Sequence, residues 1–521
     1  MSECSEVDRF SGSRQGAAPR PVIFGTALLS TASISKLALQ CVLIPVFARV
    51  LGPGIFGLMS VAMSFVLLAN MLSDGGMGAA LIREHHSDRQ LESTVYWLSV
   101  LIGIALATVI CVAAWPIAIV YRQPELFPVL LALAPILIVS SSLSVANAKI
   151  IRAQRFDLFA LGDVGCAVAG AAIGLAMAFH GYGIWSLVAQ QLAFWLTKAL
   201  WVSTAVGFRP DRCFRLKMAR PLLRFSMNTL ASNIADFVGK NFPILIVGGA
   251  LGVNSVARYA MAYQLTRVAE NVVSEPVNVA TFSAVAGTRS RHDATEFVMT
   301  ALRTLLLVLL PLFFGLALTA DLLVPLVLGN KWLGTGPALA ALAPGALMFC
   351  LYRFATGVLL GKGRAGRVLK LTLLTGAATS VGALLGVRLG VTWSVIGVSA
   401  GACVVAPLYI WSLAPPLHIS VPQLLATGRT SVLATAVMAA AVVAVRWYAA
   451  GMSPVAELAL AVIGGAVVFA ATALLLGGSE IRSDFLKLRK RAVRKSRPQP
   501  EAWPFMPPAF DEHSPVTEPA A

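Results

Sequence analysis

Charged side chains inside long apolar runs are the residues of this sequence most able to do chemistry. Lys36 sits between Ser33 and Gln40 in the first such run, ~18 Å from its start at ~1.5 Å per residue. A later run holds Asp236 and Lys240, spaced i,i+4 on one helical face with Thr229, Ser232 and Asn233. The next holds Arg267, Glu270 and Glu275, which share one arc with Tyr263, Gln264, Asn271, Ser274 and Asn278 at about 100° per residue. A charge at the centre of a bilayer costs ~2.5–3.5 kcal/mol on insertion scales, so each of these asks for a reason. One reading is a hydrated, partly cationic cavity at mid-membrane. The other is mutual neutralisation between packed helices, which the Asp236–Lys240 spacing permits. Three helices placing charge at similar depth favour the cavity. Arg353 lies nearer a helix end and is placed to snorkel. Asp163 and Lys198 stand alone in the sequence.

Other chemistries find little support. The seven cysteines are scattered and the six histidines dispersed, with no CxxC or Cys/His cluster, so no disulfide framework or zinc site is expected. The Gly361–Gly366 stretch fits GxGxxG but follows an apolar helix rather than a strand, which makes it a turn. Gly170 and Gly174 form GxxxG, a signal of close helix packing. There is no Walker A motif, and the loops assigned below to the outer face are too short for an extended catalytic site. A glycosyltransferase or polymerase is therefore disfavoured, and the chain is not read as an enzyme.

The elements that position the charges follow from composition. Hydrophobic residues make up 57% of 521 and charged residues 12%, about half the charged share of a soluble domain. Apolar segments fall near 24–47, 54–73, 94–120, 126–147, 158–179, 183–206, 223–250, 256–285, 297–325, 335–358, 368–388, 391–413, 430–449 and 455–477. Each can cross a hydrocarbon core of ~30 Å as a helix. The expected fold is all-α and polytopic, with fourteen transmembrane helices and a first helix retained as a signal-anchor. The net charge of +17 lies between the runs and in a C-terminal cluster, which is topogenic charge; no nucleic-acid partner is expected. With the N-terminus inside, cytoplasmic segments hold 30 of the 41 basic residues, and outer loops hold six: Arg49, Arg122, Arg258, Lys331, Arg388 and Arg446. That bias places both termini in the cytoplasm.

The most basic internal loop, 209–224, separates two lobes. Leu51-Gly52 followed by Ala62 repeats as Leu251-Gly252 followed by Ala262. Both pairs sit in the turn after the first helix of a lobe, so the repeats are parallel. The division is a tail (1–20), an N-lobe of six helices (21–208), the linker (209–224), a C-lobe of six helices (225–413), two extra helices (414–478), and a basic then Pro-rich tail (479–521). Eight basic residues between Arg482 and Arg497 suit contact with anionic lipid.

Residues 48–57 read Ala-Arg-Val-Leu-Gly-Pro-Gly-Ile-Phe-Gly, and 74–83 read Asp-Gly-Gly-Met-Gly-Ala-Ala-Leu-Ile-Arg. These stretches resemble the N-terminal signature of the polysaccharide-transporter (Wzx-like) flippases of the multidrug/oligosaccharidyl-lipid/polysaccharide exporter superfamily. Gly183-Ile184-Trp185-Ser186-Leu187-Val188 adds to the resemblance. Along the seventh helix the chain departs from family members, reading Asn241-Phe242-Pro243 and then Gly248-Gly249-Ala250-Leu251-Gly252. The resemblance implies export of a polyprenyl-diphosphate-linked oligosaccharide to the periplasmic leaflet of a bacterial inner membrane by alternating access. It would serve lipopolysaccharide, capsule or exopolysaccharide synthesis, alongside a polymerase and a chain-length regulator. Lys36, Lys240 and Arg267, with Gln40 and Asn271, would hold the anionic headgroup. Asp236, Glu270 and Glu275 would tune that cavity or take up a coupling cation, H+ or Na+; no other cofactor is expected. A peptidoglycan-precursor flippase and a multidrug/cation antiporter of the same superfamily remain open. The antiporter should prefer an acidic or apolar cavity.

Overall fold

The computed structural model of the chain describes residues 22–74, 77–78, 81, 89–153, 155–207, 210–211, 215, 234, 237, 241–287, 291–449 and 451–495. These residues form helices and turns, with no strand among them. The first half comprises α1 (Val22–Leu51), α2 (Pro53–Asp74), α3 (Arg89–Val120), a broken helix of α4 (Leu126–Leu133), α5 (Pro135–Ser142) and α6 (Ser144–Arg152), then α7 (Phe156–Phe179) and α8 (Ile184–Val206). The second comprises α9 (Asn241–Leu251), α10 (Val253–Gly287), α11 (Arg291–Leu328), a 3-10 turn (Asn330–Thr335), α12 (Gly336–Gly361), α13 (Ala365–Val387) and α14 (Val391–Leu417). After these come α15 (Val421–Thr427), α16 (Arg429–Tyr448) and α17 (Pro454–Lys495). Among the described residues, eleven helical stretches are long and apolar enough to span a membrane. Two of the other three expected crossings coincide with α8 and α10, which carry more polar residues; of the third, 223–250, most of the first part lies outside the described residues and the rest is the short α9.

Lipid as solvent explains the pattern of exposure. On α3 the buried line is Ser99, Gly103, Ala107, Ile110, Ala114 and Ala118, at helical spacing. Leu101, Val109, Val112, Trp115 and Ile119 face outward. A water-soluble helix would do the reverse; in lipid, close approach of backbones holds helices together, and small residues permit it. The Gly170/Gly174 pair behaves as expected: Gly170 backs onto the Gln190 carbonyl and Gly174 onto the Gln190 side chain of α8. The α13–α14 hairpin is tighter still, with Gly382 and Gly397 so close that a Cβ on either would overlap the other's carbonyl. Between α4 and α5, Pro135 has no N–H to give to the ladder, yet Ala134 stays helical (φ −54°, ψ −38°), so the crossing continues.

The two Leu-Gly turns are the same turn. Gly52 has φ +77° and donates to the Ala48 carbonyl at 3.2 Å; Gly252 has φ +79° and donates to the Gly248 carbonyl at 3.2 Å. Glycine closes each helix because its positive φ carries no Cβ penalty. These turns, and those near 121–125, 180–183, 329–335, 388–390 and 451–453, lie at one end of the bundle, here called the hairpin end. The final helix differs from expectation: it breaks at Gly477 (φ −137°, ψ 17°) and continues through the basic stretch to Lys495.

Among the described residues, the core is shared at the hairpin end and divided elsewhere. One buried apolar cluster joins both halves there, running from Phe47, Val61, Leu130 and Val188 to Val247, Val256, Trp332 and Leu339. Toward the other end the buried apolar residues fall into separate clusters. One is drawn wholly from the second half, around Leu305, Phe313, Phe354 and Tyr409. Two are drawn wholly from the first half, around Val95 and Val145 and around Leu143 and Val202.

Candidate functional site

The α10 helix carries the polar stripe and shows which way it points. At about 100° per residue, Val253, Ala257, Ala260, Gln264, Arg267 and Asn271 fall within about 80° of one another. At the hairpin end this face meets α2: a Cβ on Gly57 would overlap the Val253 carbonyl, and one on Gly54 would stand 3.3 Å from Asn254 Oδ1. Further along the same face, where the shared core ends, Gln264, Arg267 and Asn271 are exposed. They lie on the face that, nearer the hairpin end, packs against the first half. The Arg267 guanidinium stands 5.9 Å from the Tyr263 ring, itself stacked on Tyr259.

The single arc expected from the sequence divides into two lines. Glu270 and Ser274 are buried against α12, where Gly357 leaves room for the Asn278 amide. Glu270 also lies within electrostatic reach of Cys350, as does Arg353. The backbone of Glu275 continues this helix, while its side chain, together with Asp236 and Lys240, lies outside the described residues.

Lys36 has partners that the sequence did not suggest. Its ammonium donates to Asp163 Oδ2 of α7 at 2.5 Å, and the Lys198 ammonium of α8 donates to Asp163 Oδ1 at 2.9 Å. The two residues that stood alone in the sequence thus meet the one singled out, because α1 packs along α7 and α7 along α8. Periodicity within a helix carries no signal for such a meeting. Gln40, one turn nearer the hairpin end, is exposed. Lys36 lies fifteen residues from Leu51 and Arg267 fourteen from Val253, so both sit ~21–23 Å from the hairpin end.

The hairpin end is closed by polar contacts between the halves. The Arg49 guanidinium donates to the Leu326 and Val327 carbonyls at 2.5 and 3.2 Å. Those carbonyls lie in the last turn of α11, where they lack helical partners and carry the negative end of the helix dipole. The Trp332 indole donates to the Ala48 carbonyl at 2.9 Å and packs edge-on against Phe56 at 5.5 Å. The Tyr121 hydroxyl donates to the Leu245 carbonyl at 3.2 Å. Burial pushes its phenol up to about 12, so it remains a donor at neutral pH. Arg446 of α16 holds the Leu318 carbonyl and Asp321 on α11, each at 2.5 Å, and Glu457 on α17 at 3.3 Å.

Solved structures of membrane transporters share this all-helical fold. A lipid II flippase, MurJ, in an inward closed conformation superposes with a TM-score of 0.71 over 88% of this chain and all of that one, at 13% identity. A multidrug resistance MATE family transporter in an inward-facing conformation does so at 0.58, over 79% of this chain and all of that one, at 17% identity. At those identities the likeness is one of fold. Residues 46–337, more than half of the chain, match the family described as polysaccharide biosynthesis protein, and the chain belongs to that family. The succinoglycan biosynthesis transport protein ExoT of Rhizobium meliloti (strain 1021) is 27% identical over 308 residues, 58% of this chain and 62% of ExoT. The chain therefore spans about three-fifths of that relative's length. The lipopolysaccharide biosynthesis protein WzxC of Escherichia coli (strain K12) is 24% identical over 429 residues, 77% of this chain and 86% of WzxC.

Proposed function

We propose that this protein is a flippase that moves a polyprenyl-diphosphate-linked oligosaccharide from the cytoplasmic to the periplasmic leaflet of a bacterial inner membrane. The observation that carries the reading is the division of the core. The halves hold together at the hairpin end and part toward the other, leaving the Gln264–Arg267–Asn271 face open between them. Membership of the polysaccharide biosynthesis family and likeness to transport proteins such as ExoT support the substrate class. The excess of Lys and Arg at the divided end makes that end cytoplasmic, with fourteen crossings and both termini inside. The structure is then a cytoplasm-facing state.

In this scheme the anionic headgroup enters the cleft beside Arg267, with Asn271, Gln40 and Gln264 offering hydrogen bonds, while the prenyl tail stays in lipid. Lys36 and Lys240 add positive charge, and Asp236, Glu270 and Glu275 offset it or take up a coupling cation. Breaking the Arg49, Trp332 and Tyr121 contacts opens the periplasmic side. An inside-negative potential favours outward movement of an anion by ~2.3 kcal/mol per charge per 100 mV, so ion coupling is not demanded by energetics. A cationic cleft favours an anionic substrate over the cationic drugs of an antiporter.

The test is complementation of a surface-polysaccharide export mutant. Arg267→Ala and Lys36→Ala are each expected to abolish export while immunoblotting finds the protein in the membrane fraction at wild-type level. Normal export by both variants would falsify the cleft as the substrate path.

A further inference from the structure

One carboxylate serves two bases in the first half. Asp163 accepts from both Lys36 and Lys198, and among the described residues no second carboxylate bonds to either ammonium. The group therefore carries one uncompensated positive charge. It lies ~10–12 Å from the cytoplasmic ends of α7 and α8, counting seven residues from Phe156 to Asp163 and eight from Lys198 to Val206. An excess charge at that depth is costly unless an anion completes it.

The two lysines are held differently. The Lys198 side chain is 14% exposed, and its ammonium stands 5.5–5.7 Å from the rings of Phe194, Trp195 and Phe159. Those contacts fix it in place. The Lys36 side chain is 40% exposed and is held at its tip by Asp163. A base fixed among rings, a more exposed base and one monovalent anion between them make a site already occupied by its own chain.

We propose that Asp163 stands in for the diphosphate of the lipid-linked substrate, and that Lys36 and Lys198 receive that diphosphate when it displaces the carboxylate. This rests on the reading of the protein as a flippase of diphosphate-linked lipid. A diphosphate brings more negative charge and more acceptor oxygens than a carboxylate, so it competes successfully for two ammonium groups with three donors each. Asp163 returns as the substrate leaves. The built-in competitor keeps affinity moderate and makes release possible, the condition a transporter must satisfy. Asp163 is thus a positioning residue that sets how tightly the headgroup is held.

The full-length protein in phosphatidylcholine nanodiscs is titrated with farnesyl diphosphate and, separately, with inorganic pyrophosphate. Asp163→Asn is expected to bind farnesyl diphosphate at least tenfold more tightly than wild type, and to export more slowly in cells. Equal or weaker binding by a monodisperse Asp163→Asn protein overturns the proposal. Should that variant fail to fold, Lys198→Met keeps Asp163 paired with Lys36 and removes the excess charge. It is expected to lose farnesyl diphosphate binding at least tenfold, and wild-type affinity in it overturns the proposal equally. Response to inorganic pyrophosphate alone would assign the site to free phosphate and count against a lipid headgroup. If wild type complements export but these affinities do not move, the Asp163 proposal fails alone. If wild type neither complements nor binds farnesyl diphosphate, the flippase reading fails with it.

Discussion

Arg49 shows how a residue's role changes between sequence and fold. In the sequence it is one of six bases on the outer side, a minor element of the charge bias. In the structure it caps α11 from the other half of the molecule, donating to the Leu326 and Val327 carbonyls. Each such hydrogen bond contributes about 1 kcal/mol net. Arg49→Gln is therefore expected to shift the balance toward the outward-open form about fivefold or more. Maleimide labelling of a cysteine placed at Val256, buried in the shared core, reads that shift as faster modification from the periplasmic side. An unchanged labelling rate would mean that the guanidinium merely decorates the surface. Tyr121 and Trp332 should act in the same direction, since each donates to a carbonyl of the opposite half.

At the scale of the helix, small residues decide which helices touch. Gly382 and Gly397 bring α13 and α14 into backbone contact, and Gly386 and Gly401 extend the seam along Trp393 and Ala378. Gly397→Leu has no space to enter, and overpacking of this kind costs roughly 1–3 kcal/mol or more. The expected result is a melting temperature in detergent lowered by several degrees, with Leu385→Ala on the exposed side of the same hairpin leaving it within error. The two lines of α10 teach a related lesson. Its polar residues were legible as a stripe, yet Glu270 and Ser274 went to the packed side and Arg267 and Asn271 to the open side. A helical wheel orders residues around an axis; it does not say where the neighbouring helix stands.

At the scale of the whole molecule, alternating access requires the shared core at the hairpin end to open as the divided end closes. Gly54 and Asn254 face each other across that boundary. In a background without the native cysteines, Gly54→Cys with Asn254→Cys is expected to cross-link under oxidation and abolish export, with activity restored by reductant. Export that persists in the fully cross-linked protein would show that the hairpin end does not open during transport. The pair α16–α17 is tied to the same region, because Arg446 grips α11 a short way before the turn that Arg49 caps.

The sequence by itself determined that lipid is the solvent, where most helices begin and end, and that charge is carried in a few apolar runs. Hydrophobic length and charge placement are local quantities, set by the bilayer whatever the neighbours are. The matching Leu-Gly turns were legible for the same reason, since a positive φ is a demand made by one residue. Only the tertiary structure decided that Lys36, Asp163 and Lys198 form one group, that Arg49 reaches across to the end of α11, and which face of α10 is exposed. Those are distances between residues far apart in the chain, and in a membrane, where every surface is apolar, helix packing rests on shape at a few small residues. Neither composition nor periodicity records that shape.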